Sequence, residues 1–151
     1  MKYYQIIDTI IGELIIIETN GFITNIEIGP FNLDKMENKE THNIKMMKEW
    51  LKSYFNGTVL DLPIKYKQSK TDFINDVYKA TTEIPYGKTS TYKEIAQKIG
   101  RPKAYRAVGN ALNKNDLLIL MPCHRVLSSS GLGGFGSGID NKIVLLKHES
   151  L

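Results

Sequence analysis

The chain has 151 residues with a net charge of +4, and its 42% hydrophobic and 24% charged residues are typical of a globular protein of one domain or two small ones. One cysteine excludes an intramolecular disulfide framework, and the absence of an apolar run near the roughly 20 residues of a spanning helix excludes a membrane segment. With an N-terminus too polar for a signal peptide, the chain is expected to be cytoplasmic, with no membrane partner.

The first part of the chain is predicted to be rich in β-strands. Three stretches of β-forming residues are the predicted strands, at 3–7, 14–17 and 22–28. From Ile44 to Phe55 the apolar side chains recur at three- and four-residue spacing, which predicts an amphipathic helix. The polar stretch 61–70 is the candidate linker, so the predicted domains are 1–65 and 70–151.

The second part is predicted to be helical. Thr71 is the predicted cap of one helix, and Thr91-Tyr92-Lys93-Glu94 has the spacing of a capping box at the start of the next. Pro102 suits the first turn of a helix over 103–112, and Asp140 is the predicted cap of the last helix. The two middle helices and the turn between them predict a helix-turn-helix.

All the excess positive charge lies in this second part. Residues 1–70 hold nine Lys or Arg and nine Asp or Glu, whereas residues 71–151 hold eleven and seven. Between Lys88 and Arg125 there are eight basic residues and two acidic ones. Such clustering is typical of a nucleic-acid surface, although charge alone favours an ordinary solvated basic face.

The single cysteine is the leading candidate for a nucleophile. Cys123 lies in the run Pro122-Cys123-His124-Arg125-Val126, where neighbouring cations are expected to lower the pKa of the thiol. Because adjacent side chains diverge, His124 is expected to reach the thiol through a bridging water. Glu149 is the carboxylate best placed to orient His124. The alternative interpretation is an inert core cysteine.

Other chemistries fit these residues less well. A zinc site needs about four ligands, which one cysteine and the scattered histidines do not supply. A cysteine peptidase carries family signatures that are missing. The glycine-rich loop 131–138 lacks a Walker pattern and is a weak signal for phosphate binding.

Several motifs follow one another in the second part: Ile84-Pro85-Tyr86-Gly87, Thr91-Tyr92, Arg106-Ala107-Val108-Gly109, Asn115, Pro122-Cys123-His124-Arg125-Val126, Gly134-Phe135 and Leu145-Leu146 with Glu149. In order and spacing they resemble the O6-alkylguanine-DNA alkyltransferase family, also called methylated-DNA–protein-cysteine methyltransferases. The resemblance covers residues 70–150, while the first 65 residues match only in size and β-rich character. The Arg-Ala-Val-Gly and Pro-Cys-His-Arg-Val motifs are highly specific as a pair.

The resemblance implies a fold and a reaction. The fold is a small N-terminal α/β domain with ribonuclease-H-like topology, followed by a helical, winged-helix-like domain that contains the helix-turn-helix. The reaction is DNA repair, in which a methyl or other alkyl group passes irreversibly from O6 of a flipped guanine in duplex DNA to Cys123, with O4 of thymine as a second candidate target. With no second thiol and no cofactor motif, the chain is expected to act once and without a cofactor. It is also expected to be a monomer without a bound metal.

The resemblance also implies site residues. The catalytic set is Cys123, His124, Glu149, Asn115 and Tyr92, in which Asn115 resembles the family's hinge asparagine. Tyr92 resembles the tyrosine that crowds the flipped nucleotide's phosphate and donates to guanine N3, and Arg106 the arginine that enters the base stack. Minor-groove DNA contacts are expected from Tyr92, Lys93, Arg101, Lys103, Arg106, Gly109 and Ser129, and the base pocket from Leu112, Val126, Phe135 and Gly136.

Some residues and functions stay open. Without the resemblance, Tyr92 is interpreted as a core residue at a helix start and Arg106 as a surface phosphate contact. Tyr105 stands where a small residue is common in the family, and Phe135 lacks a hydroxyl that some relatives carry. The alternative functions are a non-enzymatic alkyltransferase-like damage-binding protein, which would lack the acceptor cysteine, a helix-turn-helix regulator, which leaves Cys123 unexplained, and a thiol hydrolase with multiple turnover.

Overall fold

Two consecutive units make up the computed structural model, which describes residues 1–68 and 70–150. The first unit is Met1–Gln68 and the second is the remainder of the chain, so the division falls within the candidate linker at 61–70. The first is a mixed α/β unit and the second is mainly helical, with a helix-turn-helix, which confirms the predicted fold class. No helix in the described ranges is long and apolar enough to cross a membrane.

The first unit contains a four-stranded sheet and one helix. Its elements are β1 (Lys2–Thr9), β2 (Gly12–Thr19), β3 (Phe22–Ile28), β4 (Glu37–Asn38) and α1 (His42–Phe55). The strand order is β3-β2-β1-β4, in which β1, β2 and β3 are antiparallel neighbours and β4 runs parallel to β1. The β2–β3 hairpin turns at Asn20 and Gly21, both at positive φ, as a two-residue turn between twisted strands requires.

The core of this unit lies between the sheet and α1. The helix buries Ile44, Met47, Leu51 and Tyr54, which share one face. The strand β2 buries all of Leu14–Ile17, and since successive side chains alternate between faces, both of its faces are covered. The helix begins two residues before the predicted start, because the Thr41 hydroxyl accepts a hydrogen bond from the amide of Ile44 and caps it.

The second unit is built from helices and one short parallel ladder. Its elements are α2 (Asp72–Thr82), β5 (Ser90–Thr91), α3 (Tyr92–Lys98), α4 (Tyr105–Leu112), a 3-10 turn (Cys123–Arg125), β6 (Val126–Leu127) and α5 (Ile139–Glu149). Pairing of β5 with β6 brings the start of α3 beside the end of the 3-10 turn. The buried Tyr78 hydroxyl donates to the carbonyl of Ala111 at 2.8 Å and joins α2 to α4.

Two helix starts in the second unit follow the sequence signals. The Thr71 hydroxyl accepts from the amide of Ile74, and the Thr91 hydroxyl accepts from the amide of Glu94. These caps satisfy amides that have no partner inside the helix. The predicted caps at Thr71 and Thr91 are therefore confirmed.

Two other predicted starts were wrong. Pro102 does not lie in the first turn of a helix, because the amide of Ala104 donates to the carbonyl of Arg101 and α4 begins only at Tyr105. Asp140 does not cap α5, because Gly138 holds the cap position with φ of 101°, a conformation that suits glycine. Asp140 lies instead in the first turn, where its charge is favourable to the helix dipole.

Candidate active site

Cys123 begins the 3-10 turn that follows Pro122 and is only 7% exposed. Its amide donates to the carbonyl of Met121 at 2.8 Å, and the amide of Arg125 donates to the carbonyl of Pro122 at 3.0 Å. These bonds fix the backbone on both sides of the sulfur. The thiol is therefore held at a defined position in the interior of the second unit.

The side chain of Asn115 connects the end of α4 to this turn. Its Nδ2 donates to the carbonyl of Met121 at 2.9 Å and to the Cys123 Sγ at 3.3 Å. Its Oδ1 accepts from the amide of Leu117 at 2.9 Å. A donor aimed at the sulfur stabilises the thiolate relative to the thiol.

The carboxylate of Glu149 is shared by two basic side chains. Its Oε2 lies 2.5 Å from the His124 Nε2, and its Oε1 accepts from the Arg125 Nε at 2.7 Å. The Arg125 Nη2 also donates to Oε2 at 3.2 Å, and the amide of Gly87 donates to Oε1 at 3.3 Å. The Arg125 Nη1 donates to the carbonyl of Ile84 at 2.9 Å. The side chains of His124, Arg125 and Glu149 are all buried.

This contact assigns the tautomer of His124. Because Nε2 faces the carboxylate, the neutral imidazole carries its proton there, and Nδ1 is left as an acceptor. Nδ1 is buried and has no hydrogen-bond partner among the described residues. The ring therefore presents a basic nitrogen on the side away from Glu149.

Burial sets the protonation of the thiol and the imidazole. Desolvation raises the pKa of the Cys123 thiol to about 11, while the Asn115 hydrogen bond and the charge of Lys142 oppose this. Desolvation also lowers the pKa of His124, against the opposing effect of Glu149. The expectation of a thiolate produced by neighbouring cations was wrong, because the effect of burial on the thiol pKa exceeds that of Lys142, and His124 and Arg125 both contact Glu149. At neutral pH the pair is a thiol and a neutral imidazole.

Lys142 is a site residue that the sequence analysis missed. It lies on α5, is 0% exposed, and its Nζ donates to the carbonyls of Val126 at 2.7 Å and Gly134 at 2.9 Å. Burial lowers the pKa of Lys142 to about 8, with the charge of Cys123 opposing. The available signal was its position on the face of the last helix that also buries Leu145 and Glu149.

Tyr92 is the first residue of α3 and lies against the glycine-rich loop. Its hydroxyl accepts from the amide of Gly134 at 3.1 Å, and the Lys142 ammonium is 6.0 Å from the centre of its ring. A Cβ on Gly133 would lie 2.6 Å from the hydroxyl, so only glycine fits there. Tyr92 thus joins the site through the loop and Lys142.

The structure brings some of the expected site residues into contact and leaves others at a distance or on the surface. Cys123 contacts Asn115, and His124 contacts Glu149, but no direct hydrogen bond between the side chains of Cys123 and His124 occurs in the described part of the chain. Of the expected base-pocket residues, Leu112 and Val126 are buried, Phe135 is half-buried and Gly136 is exposed.

The expected DNA contacts lie mainly on the helix-turn-helix. The exposed basic side chains there are Lys93 on α3, Arg101 and Lys103 in the turn, and Arg106 on α4. Gly109 is half-buried on α4, near the Tyr92 ring, and Ser129 is exposed after β6. The Lys93 ammonium lies 5.5 Å from the centre of the Tyr105 ring, which links the two helices. This exposed cationic surface suits a polyanion.

Comparison with known proteins matches both units to one family. The model described as "6-O-methylguanine DNA methyltransferase, ribonuclease-like domain" matches residues 2–66, and "6-O-methylguanine DNA methyltransferase, DNA binding domain" matches residues 72–151. A methylated-DNA–protein-cysteine methyltransferase of Methanosarcina barkeri is 41% identical over 161 residues, covering 97% of this chain and 96% of its own. The constitutive one of Bacillus subtilis is 38% identical over 160 residues, covering 100% and 97%. The solved structure of Mycobacterium tuberculosis OGT in complex with DNA matches with a TM-score of 0.88 and 36% identity, covering 98% of this chain and 92% of that one.

Proposed function

The chain belongs to the 6-O-methylguanine DNA methyltransferase family of DNA-binding repair proteins, which transfer an alkyl group to a protein cysteine, and we propose that Cys123 is the acceptor. It is the only cysteine in the sequence. The observation that carries the proposal is the buried thiol that accepts a hydrogen bond from Asn115 and adjoins the His124–Glu149 pair.

The proposed transfer is a displacement at the alkyl carbon. The Cys123 sulfur forms a bond to that carbon as the bond from carbon to the guanine O6 breaks, and the purine leaves with the electron pair. The thiol proton passes through a bridging water to the His124 Nδ1, and Glu149 stabilises the imidazolium that forms. The Tyr92 hydroxyl is proposed to donate a hydrogen bond to guanine N3, which stabilises the negative charge on the departing purine. The thioether formed at Cys123 is stable, so each chain acts once.

The substrate proposed is O6-alkylguanine in duplex DNA, approached from the minor groove. A base inside the helix cannot reach the buried sulfur, so it must be flipped out. Arg106, exposed on α4, is the side chain proposed to enter the vacated space, as wedge residues of minor-groove proteins do. The proposed DNA contacts and the acceptor all lie within residues 70–151, which we propose as the functional domain.

The test is transfer of labelled methyl from a duplex that contains a single O6-methylguanine. We expect label on the wild-type chain, saturating at one per chain, and none on Cys123→Ala, which circular dichroism must find folded. A matched duplex with O4-methylthymine measures the second candidate target. Label beyond one per chain, or label on the Cys123→Ala variant, would contradict the proposal.

The alternative functions give different results in the same experiment. A damage-binding protein that does not transfer would retard the methylated duplex without acquiring label. A regulator would bind one unmodified sequence in preference to the lesion. A thiol hydrolase would turn over repeatedly.

A further inference from the structure

Lys142 carries a buried charge that the proposed transfer does not yet use. Its side chain is 0% exposed, and its hydrogen-bond acceptors are the backbone carbonyls of Val126 and Gly134. No carboxylate pairs with it in the described ranges. A buried ammonium without a counter-ion is costly, so a purely structural role would be served as well by an uncharged side chain.

The position of Lys142 links the acceptor to the loop that faces Tyr92. Val126 lies three residues after Cys123, on the strand that leaves the 3-10 turn. Gly134 is the loop residue whose amide donates to the Tyr92 hydroxyl. One ammonium therefore ties the strand after the acceptor to the segment that holds Tyr92.

Lys142 also carries a charge that acts on the sulfur. The other two basic side chains near the sulfur, His124 and Arg125, both contact the carboxylate of Glu149. No carboxylate among the described residues pairs with Lys142, and its charge and that of Cys123 favour each other's ionised forms. Electrostatic stabilisation is largest when a preorganised charge faces the atom on which charge develops.

We propose that Lys142 is a positioning residue whose buried ammonium holds the Gly134 segment against Tyr92 and stabilises the negative charge that develops on the Cys123 sulfur. The inference rests on the proposed function for its role in alkyl transfer. Its electrostatic part concerns the thiol itself and is measurable without DNA.

The charge of Lys142 predicts a distinctive pH dependence. The groups that interact with it are Cys123 and His124 on the 3-10 turn and Tyr92 on α3, and Glu149 lies on its own helix. Since the pKa of Lys142 is about 8, its ammonium stabilises the thiolate only below that pH. The rate of thiol alkylation should rise steeply with pH below about 8 and less steeply above it. Lys142→Arg keeps its charge, so the steep rise should continue.

The experiment uses iodoacetamide and intact-mass measurement on the full chain, in which one adduct reports the single cysteine. Lys142→Met removes the charge and both hydrogen bonds, whereas Lys142→Gln removes the charge but keeps an amide donor. We expect both to react about tenfold more slowly at pH 7.5, as for one unit of thiol pKa. Lys147→Met, exposed on the same helix, is the control and should react at the wild-type rate.

Each outcome decides the inference. If Lys142→Met is alkylated slowly and Lys142→Gln at the wild-type rate, Lys142 acts through its hydrogen bonds alone. If both variants are alkylated at the wild-type rate, Lys142 has no role at the thiol. Either result overturns the proposal. If neither variant folds, the wild type and Lys142→Arg still test it, since a wild-type rate that rises between pH 8 and 9 as steeply as that of Lys142→Arg contradicts it. Single-turnover transfer from O6-methylguanine duplex, measured on the same variants, should fall in parallel. Failure of the wild type to transfer would reject the proposed function and leave the iodoacetamide result intact.

Discussion

Glu149 has a larger part in the site than its place near the end of the chain suggests. The sequence predicts it as the partner of His124, and the structure adds Arg125 and the amide of Gly87 to the same carboxylate. From the sequence, Arg125 was identified only as a neighbour of the thiol. Its contacts were missed because the carboxylate of Glu149 was assigned to His124 alone.

Replacing Arg125 by lysine should destabilise the second unit. Lysine cannot span both oxygens of Glu149 and the carbonyl of Ile84, so buried acceptors lose their donors. We expect the free energy of unfolding to fall by about 2 kcal/mol, as for buried acceptors left unpaired. Urea unfolding measures this, with Arg106→Lys, exposed on α4, as the matched control. Equal midpoints for the two variants would contradict the proposed importance of the bidentate contact.

The shifted pKa of Lys142 predicts how stability changes with pH. The folded chain releases this proton near pH 8 and the unfolded chain near the ordinary value of 10.5, so between them the unfolded state binds more protons. The group therefore destabilises the folded state below pH 8, and this effect is lost as pH rises toward 10.5. We expect the free energy of unfolding of the wild type to rise by about 1–3 kcal/mol over this interval relative to that of Lys142→Met.

The measurement compares the unfolding midpoints of two chains that differ only by the substitution Lys142→Met. Both chains also carry Cys123→Ala, which removes the thiol titration from the comparison. Lys147→Met in the same background serves as the exposed control. A stability difference that stays constant from pH 7.5 to 10 would mean that Lys142 titrates at an ordinary pKa.

At the scale of elements, local signals predicted helices better than their ends. Thr71 and Thr91 cap the helices that follow them, because a hydroxyl beside free amides acts locally. The signals at Pro102 and Asp140 were misleading, because a turn at Arg101–Ala104 and the positive φ of Gly138 determine where α4 and α5 begin. Lys142 was missed because its hydrogen-bond acceptors lie in β6 and the glycine-rich loop, and local signals along its own helix do not indicate them.

In the glycine-rich loop, the close approach of Gly133 to Tyr92 predicts that a side chain at position 133 disturbs the site. The φ of Gly133 is +74°, and an added Cβ would lie 2.6 Å from the Tyr92 hydroxyl and 2.9 Å from its ring, so Gly133→Ala must displace the loop or the tyrosine. We expect single-turnover transfer to fall at least ~10-fold, since misplacement by about 1 Å can cost on the order of 100-fold.

Gly131→Ala in the same loop is the matched control, because its added Cβ would meet nothing within 4 Å. It should transfer at nearly the wild-type rate. Comparable losses in both variants would point to general loosening of the loop, and no loss at Gly133→Ala would argue against a role for the Tyr92 position.

At the scale of the whole molecule, the two parts of the chain differ in net charge. The positive excess lies after residue 70, and its exposed members cluster on the helix-turn-helix, whereas residues 1–70 hold equal numbers of basic and acidic side chains. Composition and periodicity predicted this order of units. They could not predict the pairing of β5 with β6, which involves two residues in each strand and brings α3 to the acceptor turn.

This charge distribution predicts which lysines control the salt dependence of DNA binding. Each phosphate contact releases counter-ions and adds about −0.9 to the slope of log K against log salt. Lys103→Ala, in the exposed turn between α3 and α4, should therefore reduce the magnitude of the slope by about 1. Lys35→Ala, exposed in the first unit, removes the same charge and should leave the slope unchanged. Fluorescence anisotropy from low to moderate salt measures both. Equal changes in the two variants would mean that net charge, rather than the helix-turn-helix surface, governs binding.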